Sequence, residues 1–305
     1  MRGWQLRSDR RLWRALALMS LLTLPLALTP GPARASAKPP TSWSFYVDGN
    51  NPSLLDSLGC NQANHDRTYS AHSMVILDFG GLNPDGTQHK LFNGVWYPQS
   101  TIVNLAESFI NGYTRCNPGN GSLILVVGTN NSLYFNATNG TAFANTVKSV
   151  SNYATAVTTK VMVWGGADIE TWSRFDVYSN QVYDWYSGYS STGGPLYVDY
   201  GSADGCDQTN WVCYAANNSN FNKGDYYNFA WGWTLAEGTP EVYYEVNASQ
   251  WYWIEQATRP MYLEGPLNTT QGLTSDQAWQ DLNAYFPSIS YSLCIKFASQ
   301  STNCP

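Results

Sequence analysis

The stretch VMVWGGADIETW, residues 161–172, joins an apolar run to two glycines and then to two acids, Asp168 and Glu170. A continuous apolar run is typical of a strand that is buried on both faces of a parallel sheet. Eight such runs are bounded by Gly, Asn, Asp or Pro and are predicted to be strands. They are WSFYVDG (43–49), MVILDFGG (74–81), SLILVVGTN (122–130), KVMVWGG (160–166), PLYVDYG (195–201), YYNFAWGW (226–233), EVYYEV (241–246) and PMYLEG (260–265).

Apolar residues recur at helical spacing between several of these runs. The pattern predicts helices over 102–110, 143–153 and 182–186, and a late helix over 275–285 that Ser275 caps. Residues 82–100 read as a hairpin or a long excursion after the second strand. Strands that alternate with helices predict an α/β fold, an irregular (β/α)8 TIM-like barrel. An open doubly wound sheet is the alternative.

The first residues are predicted to be a leader and not part of the fold. Basic residues precede an apolar run of about 14 residues, which is shorter than the ~20 that span a bilayer. The run is followed by Ala35-Ser36-Ala37, a small-x-small cleavage site. Residues 1–37 are therefore predicted to be a secretory signal peptide, 38–42 a short Pro-rich leader and 43–305 a single barrel domain. Ordinary secretion and twin-arginine export both stay open.

The composition limits the partners of the exported protein. The chain of 305 residues has a net charge of −6, and residues 1–37 contain six Arg and one Asp. Their removal leaves 10 basic and 21 acidic residues, a net charge of about −11. Binding to nucleic acid or to an anionic membrane surface needs basic residues, so both are excluded as partners. We expect a secreted monomer.

Cysteines and histidines indicate disulfides and no metal site. An even number of cysteines in an exported chain is typical of disulfide bonds. Proximity in the sequence predicts the pairs Cys60–Cys116, Cys206–Cys213 and Cys294–Cys304, although six cysteines allow 15 pairings. There are three histidines and no CxxC or HExxH motif, so neither a metal nor a cofactor is expected.

Acidic residues stand at the ends of the predicted strands, where the active sites of α/β barrels lie. They are Asp48, Asp78, Asp168, Glu170, Asp199 and Glu264, with Glu237 and Glu241 flanking the loop before the seventh run. Glycoside hydrolysis needs one protonated carboxyl group and one carboxylate, and crowded acids keep one another protonated. Glu170 is predicted to be the general acid, and Asp168 to orient it or to stabilise developing positive charge. Helix caps and turns are the structural alternative for these acids.

Aromatic residues lie in the same strand-end segments. Flat rings present their faces to sugars, although large rings also fill barrel cores. Asp78, Asp199 and Glu264 are predicted to bind substrate together with a set of aromatic residues. That set is Trp164, Tyr200, Trp231 and Trp233.

Three motifs resemble those of the muramidase (lysozyme) family of TIM-barrel glycoside hydrolases, whose fourth strand ends in Asp-x-Glu. They are YVDG at 46–49, DIE at 168–170 and TPEVYY at 239–244. The resemblance implies that Glu170 is the catalytic acid, with Asp168 and Asp48 as its acidic neighbours. It also implies a glycoside hydrolase that acts on a polysaccharide such as a cell-wall glycan. A barrel without catalytic activity that binds carbohydrate or a cell-surface partner is the alternative.

Overall fold

The computed structural model describes residues 37–130, 134–170, 177–214 and 221–301, which form one compact unit. The predicted signal peptide, residues 1–37, lies outside this part of the chain except for its last residue. Among the helices of the described residues, none is long and apolar enough to cross a bilayer.

The described residues form ten strands and seven α-helices in an α/β arrangement. The strands are β1 (Ser42–Tyr46), β2 (His72–Leu82), β3 (Gln88–Lys90), β4 (Trp96–Pro98), β5 (Ser122–Asn130), β6 (Val161–Asp168), β7 (Tyr197–Asp199), β8 (Ala236–Gly238), β9 (Leu267–Thr269) and β10 (Leu293–Phe297). The helices are α1 (Pro52–Tyr69), α2 (Gln99–Arg115), α3 (Ala137–Val157), α4 (Ser179–Ser191), α5 (Lys223–Tyr227), α6 (Glu245–Ala257) and α7 (Ser275–Tyr285). A π-helix, Asn228–Gly232, continues from α5.

The sheet is parallel and curled, but its strand ladder does not close. The strand order is β8-β7-β6-β5-β2-β1-β10-β9, and the β3–β4 hairpin extends antiparallel from the end of β2. Among the described residues, β8 and β9 form no ladder with each other, and isolated parallel bridges join Gly238 to Leu263 and Glu241 to Leu267. The predicted irregular (β/α)8 TIM-like barrel is therefore confirmed in its α/β class and its parallel sheet but not in its closure, because the sheet is a half-barrel. The expected hairpin after the second strand is confirmed.

The last three predicted strands are wrong, and in two of them local caps favour helices. YYNFAWGW becomes α5 and the π-helix, since the Asn222 side chain accepts from the N–H groups of Gly224 and Asp225. EVYYEV runs into α6, since the Asn247 side chain accepts from the N–H groups of Tyr243 and Tyr244. Side-chain caps of this kind satisfy the free N–H groups of a first helical turn. PMYLEG keeps only the bridge at Leu263.

The first five predicted strands and the predicted helices are confirmed, with shifted boundaries. The cap of α7 is Thr274 and not Ser275, because the Thr274 side chain accepts from the N–H of Gln277. Helices α1, α5 and α6 and strands β8, β9 and β10 were not predicted. Strands β8 and β9 are three residues long, too short for the periodicity to show.

Alternation along the strands divides the core into two parts. On β2, Val75 and Leu77 pack towards the helices, whereas Met74 and Ile76 face the inside of the curled sheet. The inner cluster takes side chains from several strands. It consists of Met74, Ile76, Val126, Trp164, Val198, Tyr200, Leu267, Leu293 and Ile295.

Two of the predicted disulfides are confirmed, Cys60–Cys116 and Cys206–Cys213. The first joins α1 to the residue that follows α2, and the second closes a loop after β7. Cys294 is also disulfide-bonded, and its predicted partner, Cys304, lies outside the described residues.

Replacement of Trp185 is expected to destabilise the fold strongly. Its ring is fully buried and stacks on Phe135 with 4.8 Å between the ring centres. Trp185→Ala leaves a cavity in the outer core, so we expect the free energy of unfolding to fall by about 3–5 kcal/mol in urea denaturation. Trp96→Ala on the exposed hairpin is the control, with an expected change below about 0.5 kcal/mol. Equal effects of the two substitutions would contradict the assigned packing.

Candidate functional site

The inner face of the sheet ends in carboxyl groups at the carboxyl ends of the strands. Alternate residues of a strand face the same side of the sheet. On β2 the inner face therefore takes Met74, Ile76 and Asp78. On β6 it takes Trp164 and Asp168. The apolar filling of the inner face is thus replaced by acids at the end where the loops converge.

Two glycines allow β6 to continue as far as Asp168. A Cβ atom on Gly165 would lie 2.3 Å from the hydroxyl oxygen of Tyr189, and one on Gly166 would lie 2.5 Å from Cγ1 of Val126. Only glycine leaves room for these neighbours. The strand therefore keeps its parallel register with β5 through the pair Asn130–Asp168.

Asp168, Glu170 and Glu241 form a cluster, which we call the acid cluster. One carboxylate oxygen from each lies within 4.8 Å of the others. The carboxyl groups of Glu170 and Glu241 share a hydrogen bond. Asp168 and Glu241 are buried, whereas Glu170 is partly exposed. The acid cluster can therefore be reached from solvent at Glu170.

The chain returns to the acid cluster at Glu241. Its N–H donates to the carbonyl oxygen of Gly201 after β7, and its bridge to Leu267 places it beside β9. The hydroxyl of Tyr243 donates to Oε1 of Glu241, and its oxygen lies 3.5 Å from that of Tyr46 on β1. Hydrogen bonds from both ends of the open sheet thus hold Glu241 in place.

The three carboxyl groups cannot all be charged. Burial, and then the charges of Glu170, Asp78 and Asp199, raise the pKa of Asp168 well above its ordinary value. Burial and the charges of Glu170 and Asp168 do the same to the pKa of Glu241. Burial also raises the pKa of Glu170, while the hydrogen bond from Glu241 opposes that rise. Protons therefore remain in the acid cluster at pH values where exposed carboxyl groups are ionised.

Asp78 and Asp199 surround the acid cluster without joining it. In each, Oδ1 accepts from the backbone N–H two residues later, Gly80 at 2.7 Å and Gly201 at 3.2 Å. In each, Oδ2 is buried and has no hydrogen-bond partner among the described residues. Burial raises the pKa of Asp78 to about 7 and that of Asp199 to about 8. Asp78 lies in β2, where the register with β5 becomes irregular, and Asp199 ends β7, and the charges of both act on Asp168 of the acid cluster.

The remaining predicted site acids lie elsewhere. Asp48 accepts hydrogen bonds from the hydroxyl and the N–H of Ser299, just after β10. Glu264 contributes its backbone, with its N–H donating to Gly238 and its carbonyl accepting from Ser290 and Tyr291. The catalytic role of Asp48 and the binding role of Glu264 stay predictions.

The predicted sugar-binding aromatics lie in or against the core. Trp164 and Tyr200 are buried in the inner cluster, and the hydroxyl of Tyr200 donates to the carbonyl of Thr129. The ring of Trp233 stacks on Tyr186 with 3.8 Å between centres, and Trp231 packs partly buried against the outer core. Their role in substrate binding stays a prediction.

Glu241 is the member of the acid cluster that was left out of the predicted catalytic set. Its position beside a loop does not select it, because the segment LAEGTPE is also typical of a turn. The resemblance of TPEVYY to a motif of a hydrolase family was the signal that could have selected it.

The acid cluster could also hold a hard divalent cation. Carboxylate oxygens are the ligands that such cations prefer, and Oδ1 of Asp168 is buried with no hydrogen-bond partner among the described residues. Protons can balance the same charge. The hydrogen bond between the carboxyl groups of Glu170 and Glu241 favours protons.

Comparisons with known proteins do not place the chain in a family. No family model matches it, and no curated protein matches it. Among solved structures, the Leishmania donovani UMP synthase matches 83% of this chain and 47% of its own, with 7% identity and a TM-score of 0.43. CpGH84B matches 84% of this chain and 44% of its own, with 7% identity and a TM-score of 0.42.

A putative mandelate racemase/muconate lactonizing enzyme from Burkholderia SAR-1 matches 86% of this chain and 54% of its own, with 9% identity and a TM-score of 0.32. The chain therefore spans about half the length of these three proteins. At such low TM-scores and identities, none of these similarities bears on what this chain does.

Stability is expected to fall as the pH rises. The pKa values of Asp78 and Asp199 are raised in the folded protein to about 7 and about 8, from 3.8. Their stabilising contribution is therefore complete below about pH 4 and is lost as the pH rises through 7 and 8. Urea denaturation between pH 5 and 8.5 should show a loss on the order of a few kcal/mol.

Asp199→Asn should reduce this pH dependence, because the amide still accepts from Gly201 but does not titrate. Asp184→Asn on the exposed face of α4 should leave the pH dependence of the free energy of unfolding unchanged. A free energy of unfolding that rises or stays level over this range in the unsubstituted protein would contradict the expectation.

Chelation of divalent cations is expected to leave the protein unchanged. If protons balance the charge of the acid cluster, EDTA and added Ca²⁺ or Mg²⁺ should not shift the melting temperature measured by circular dichroism. A rise of several degrees with Ca²⁺ that is absent in Asp168→Asn would show that the acid cluster binds a cation instead.

Proposed function

We propose that the protein is a secreted glycoside hydrolase that acts on a polysaccharide, such as a cell-wall glycan, at the acid cluster. The observation that supports this best is the contact among the three carboxyl groups, whose oxygens lie within 4.8 Å of one another. Glycoside hydrolysis needs a protonated acid and a carboxylate close together, and crowding produces that mixture of states.

Glu170 is the general acid in this proposal. It is the partly exposed member of the acid cluster, so its carboxyl group can reach the glycosidic oxygen. Glu241 donates the hydrogen bond that joins it to Glu170, and when its proton shifts to Glu170, the hydroxyl of Tyr243 stabilises the charge left on Glu241. Transfer of that proton to the glycosidic oxygen lets the leaving sugar depart as an alcohol. Glu241 and Tyr243 position Glu170 and set its protonation.

Asp168 is the second carboxyl group of the reaction. Positive charge that develops on the sugar ring favours the ionised form of Asp168 and offsets the cost of its burial. Enzymes that invert configuration keep their two carboxyl groups ~6.5–9.5 Å apart to admit a water molecule. The shorter separation here favours retention, with Asp168 attacking or stabilising the anomeric carbon.

The disulfides and the exposed aromatic residues support a polysaccharide outside the cell. Disulfides such as Cys60–Cys116 persist in oxidising compartments. Exposed aromatic side chains also follow the carboxyl ends of several strands, at the same end of the sheet as the acid cluster. They are Trp96, Tyr134, Tyr178, Trp211, Tyr214 and Tyr244.

Carbohydrate binding without catalysis is the second candidate. The burial of Asp168 and Glu241 favours it, since each is at most 9% exposed and a substrate would have to reach them through the opening at Glu170. This candidate keeps the same ligand class and differs only in turnover.

Glu170→Gln is expected to abolish hydrolysis. The amide cannot supply the proton, so kcat should fall by about 10²–10⁴-fold on whichever polysaccharide the unsubstituted protein cleaves in a reducing-sugar assay. Asp168→Asn should reduce kcat similarly, and nuclear magnetic resonance of the first product should show a retained anomeric configuration.

Glu107→Gln on α2 is the matched control, because it makes the same chemical change away from the acid cluster. Unchanged activity in Glu170→Gln would refute the assignment. Binding without turnover in the unsubstituted protein would establish the second candidate.

A further inference from the structure

The loop after β7 carries an exposed tryptophan on a fixed backbone. The Cys206–Cys213 disulfide closes the segment CDQTNWVC, residues 206–213. Within it, the carboxylate of Asp207 accepts from the N–H groups of Thr209 and Asn210 at 2.7 and 2.6 Å. The segment, which we call the stapled loop, therefore holds its shape through a covalent bond and local hydrogen bonds.

Trp211 is held near the end of the stapled loop with half of its surface in solvent. Its carbonyl accepts from the N–H of Lys223 at 3.0 Å, and the next residue, Val212, forms an antiparallel bridge with Asn222. The edge of the indole ring lies against Gly224, where an added Cβ would come within 3.0 Å of Cζ2. Although anchored in this way, Trp211 remains 50% exposed. A rigid, exposed ring loses little conformational entropy when a ligand stacks on it.

The base of the stapled loop lies close to the acid cluster. The side chain of Asp204 accepts from Asn247 at 3.0 Å, and the charge of Asp204 helps to raise the pKa of Glu170, which places the two carboxyl groups near each other. Asp204 lies two residues before Cys206. A polymer that occupies the acid cluster would therefore meet the stapled loop along the same end of the sheet.

Charge and ring chemistry select the class of ligand. The acid cluster, Asp204 and Asp207 lie at this end, and the whole chain has a net charge of −6. Anionic polymers are therefore repelled. The faces of β-linked pyranose rings carry C–H groups, which pack against the negative face of an indole. An uncharged β-linked polysaccharide satisfies both requirements.

We propose that Trp211 is a stacking platform for one sugar ring of an uncharged β-linked polysaccharide, at a subsite next to the acid cluster. This inference rests on the proposed function for the identity of the neighbouring site, but it concerns binding and does not need turnover. The stapled loop holds the ring in place before the ligand arrives.

Co-sedimentation with insoluble polysaccharides tests this inference in the Glu170→Gln protein, where cleavage does not interfere. Chitin and cellulose are the probes, and soluble hyaluronan, an anionic polysaccharide, is the competitor that should have no effect. We expect binding to at least one of the two neutral polymers, about tenfold weaker binding after Trp211→Ala, and near-complete retention after Trp211→Phe.

Tyr69→Ala, which removes a 61% exposed ring at the end of α1, is the matched control and should not change binding. An unchanged melting temperature of the Trp211→Ala protein separates lost stacking from lost folding. The inference is overturned if Glu170→Gln binds neither polymer, or if Trp211→Ala binds as tightly as its parent. If binding depends on Trp211 but the unsubstituted protein cleaves no glycan, the proposed hydrolysis fails and the platform stands.

Discussion

The inner face of the curled sheet has to be filled by side chains from several strands at once, and the candidate site depends on that packing. Met74 and Ile76 from β2, Trp164 from β6 and Tyr200 after β7 meet there. Because the strands are parallel, the same inward parity that buries these residues delivers Asp78 and Asp168 to one end of the sheet. The glycines of β6 are part of this constraint, since side chains there would collide with Tyr189 and Val126.

The carboxyl groups at that end of the sheet repel one another when they are charged, and the fold nevertheless holds them close together. Asp168 and Glu241 are buried beside Glu170, and the charges that act on the pKa of Asp168 come from further carboxyl groups. Holding such groups together costs stability at neutral pH. Tyr243 limits the cost by donating a hydrogen bond to Glu241. A site that keeps protons and carboxylates in contact is suited to proton transfer.

The missing ladder between β8 and β9 also affects the acid cluster. A full ladder there would have used the residues around Glu241 as a regular strand. Asn247 instead accepts from the N–H groups of Tyr243 and Tyr244 and starts α6, while isolated bridges hold Glu241 against Leu267. The open edge thus permits Glu241 and Tyr243 to turn towards the acid cluster, and the stapled loop lies on the preceding connection.

Much of the first half of the fold could be predicted from local pattern. The long apolar runs of β2, β5 and β6 and the helical spacing of α2 and α3 are local properties, so the sequence alone determined them and the parallel α/β class. It also determined that Asp168 and Glu170 stand at the end of a buried strand. The tertiary structure decided that β8 and β9 do not pair, that Glu241 joins the pair, and that Trp164 and Tyr200 fill the interior while Trp211 remains exposed. Those outcomes depend on contacts between residues far apart in the chain, and the periodicity of a single segment contains no information about them.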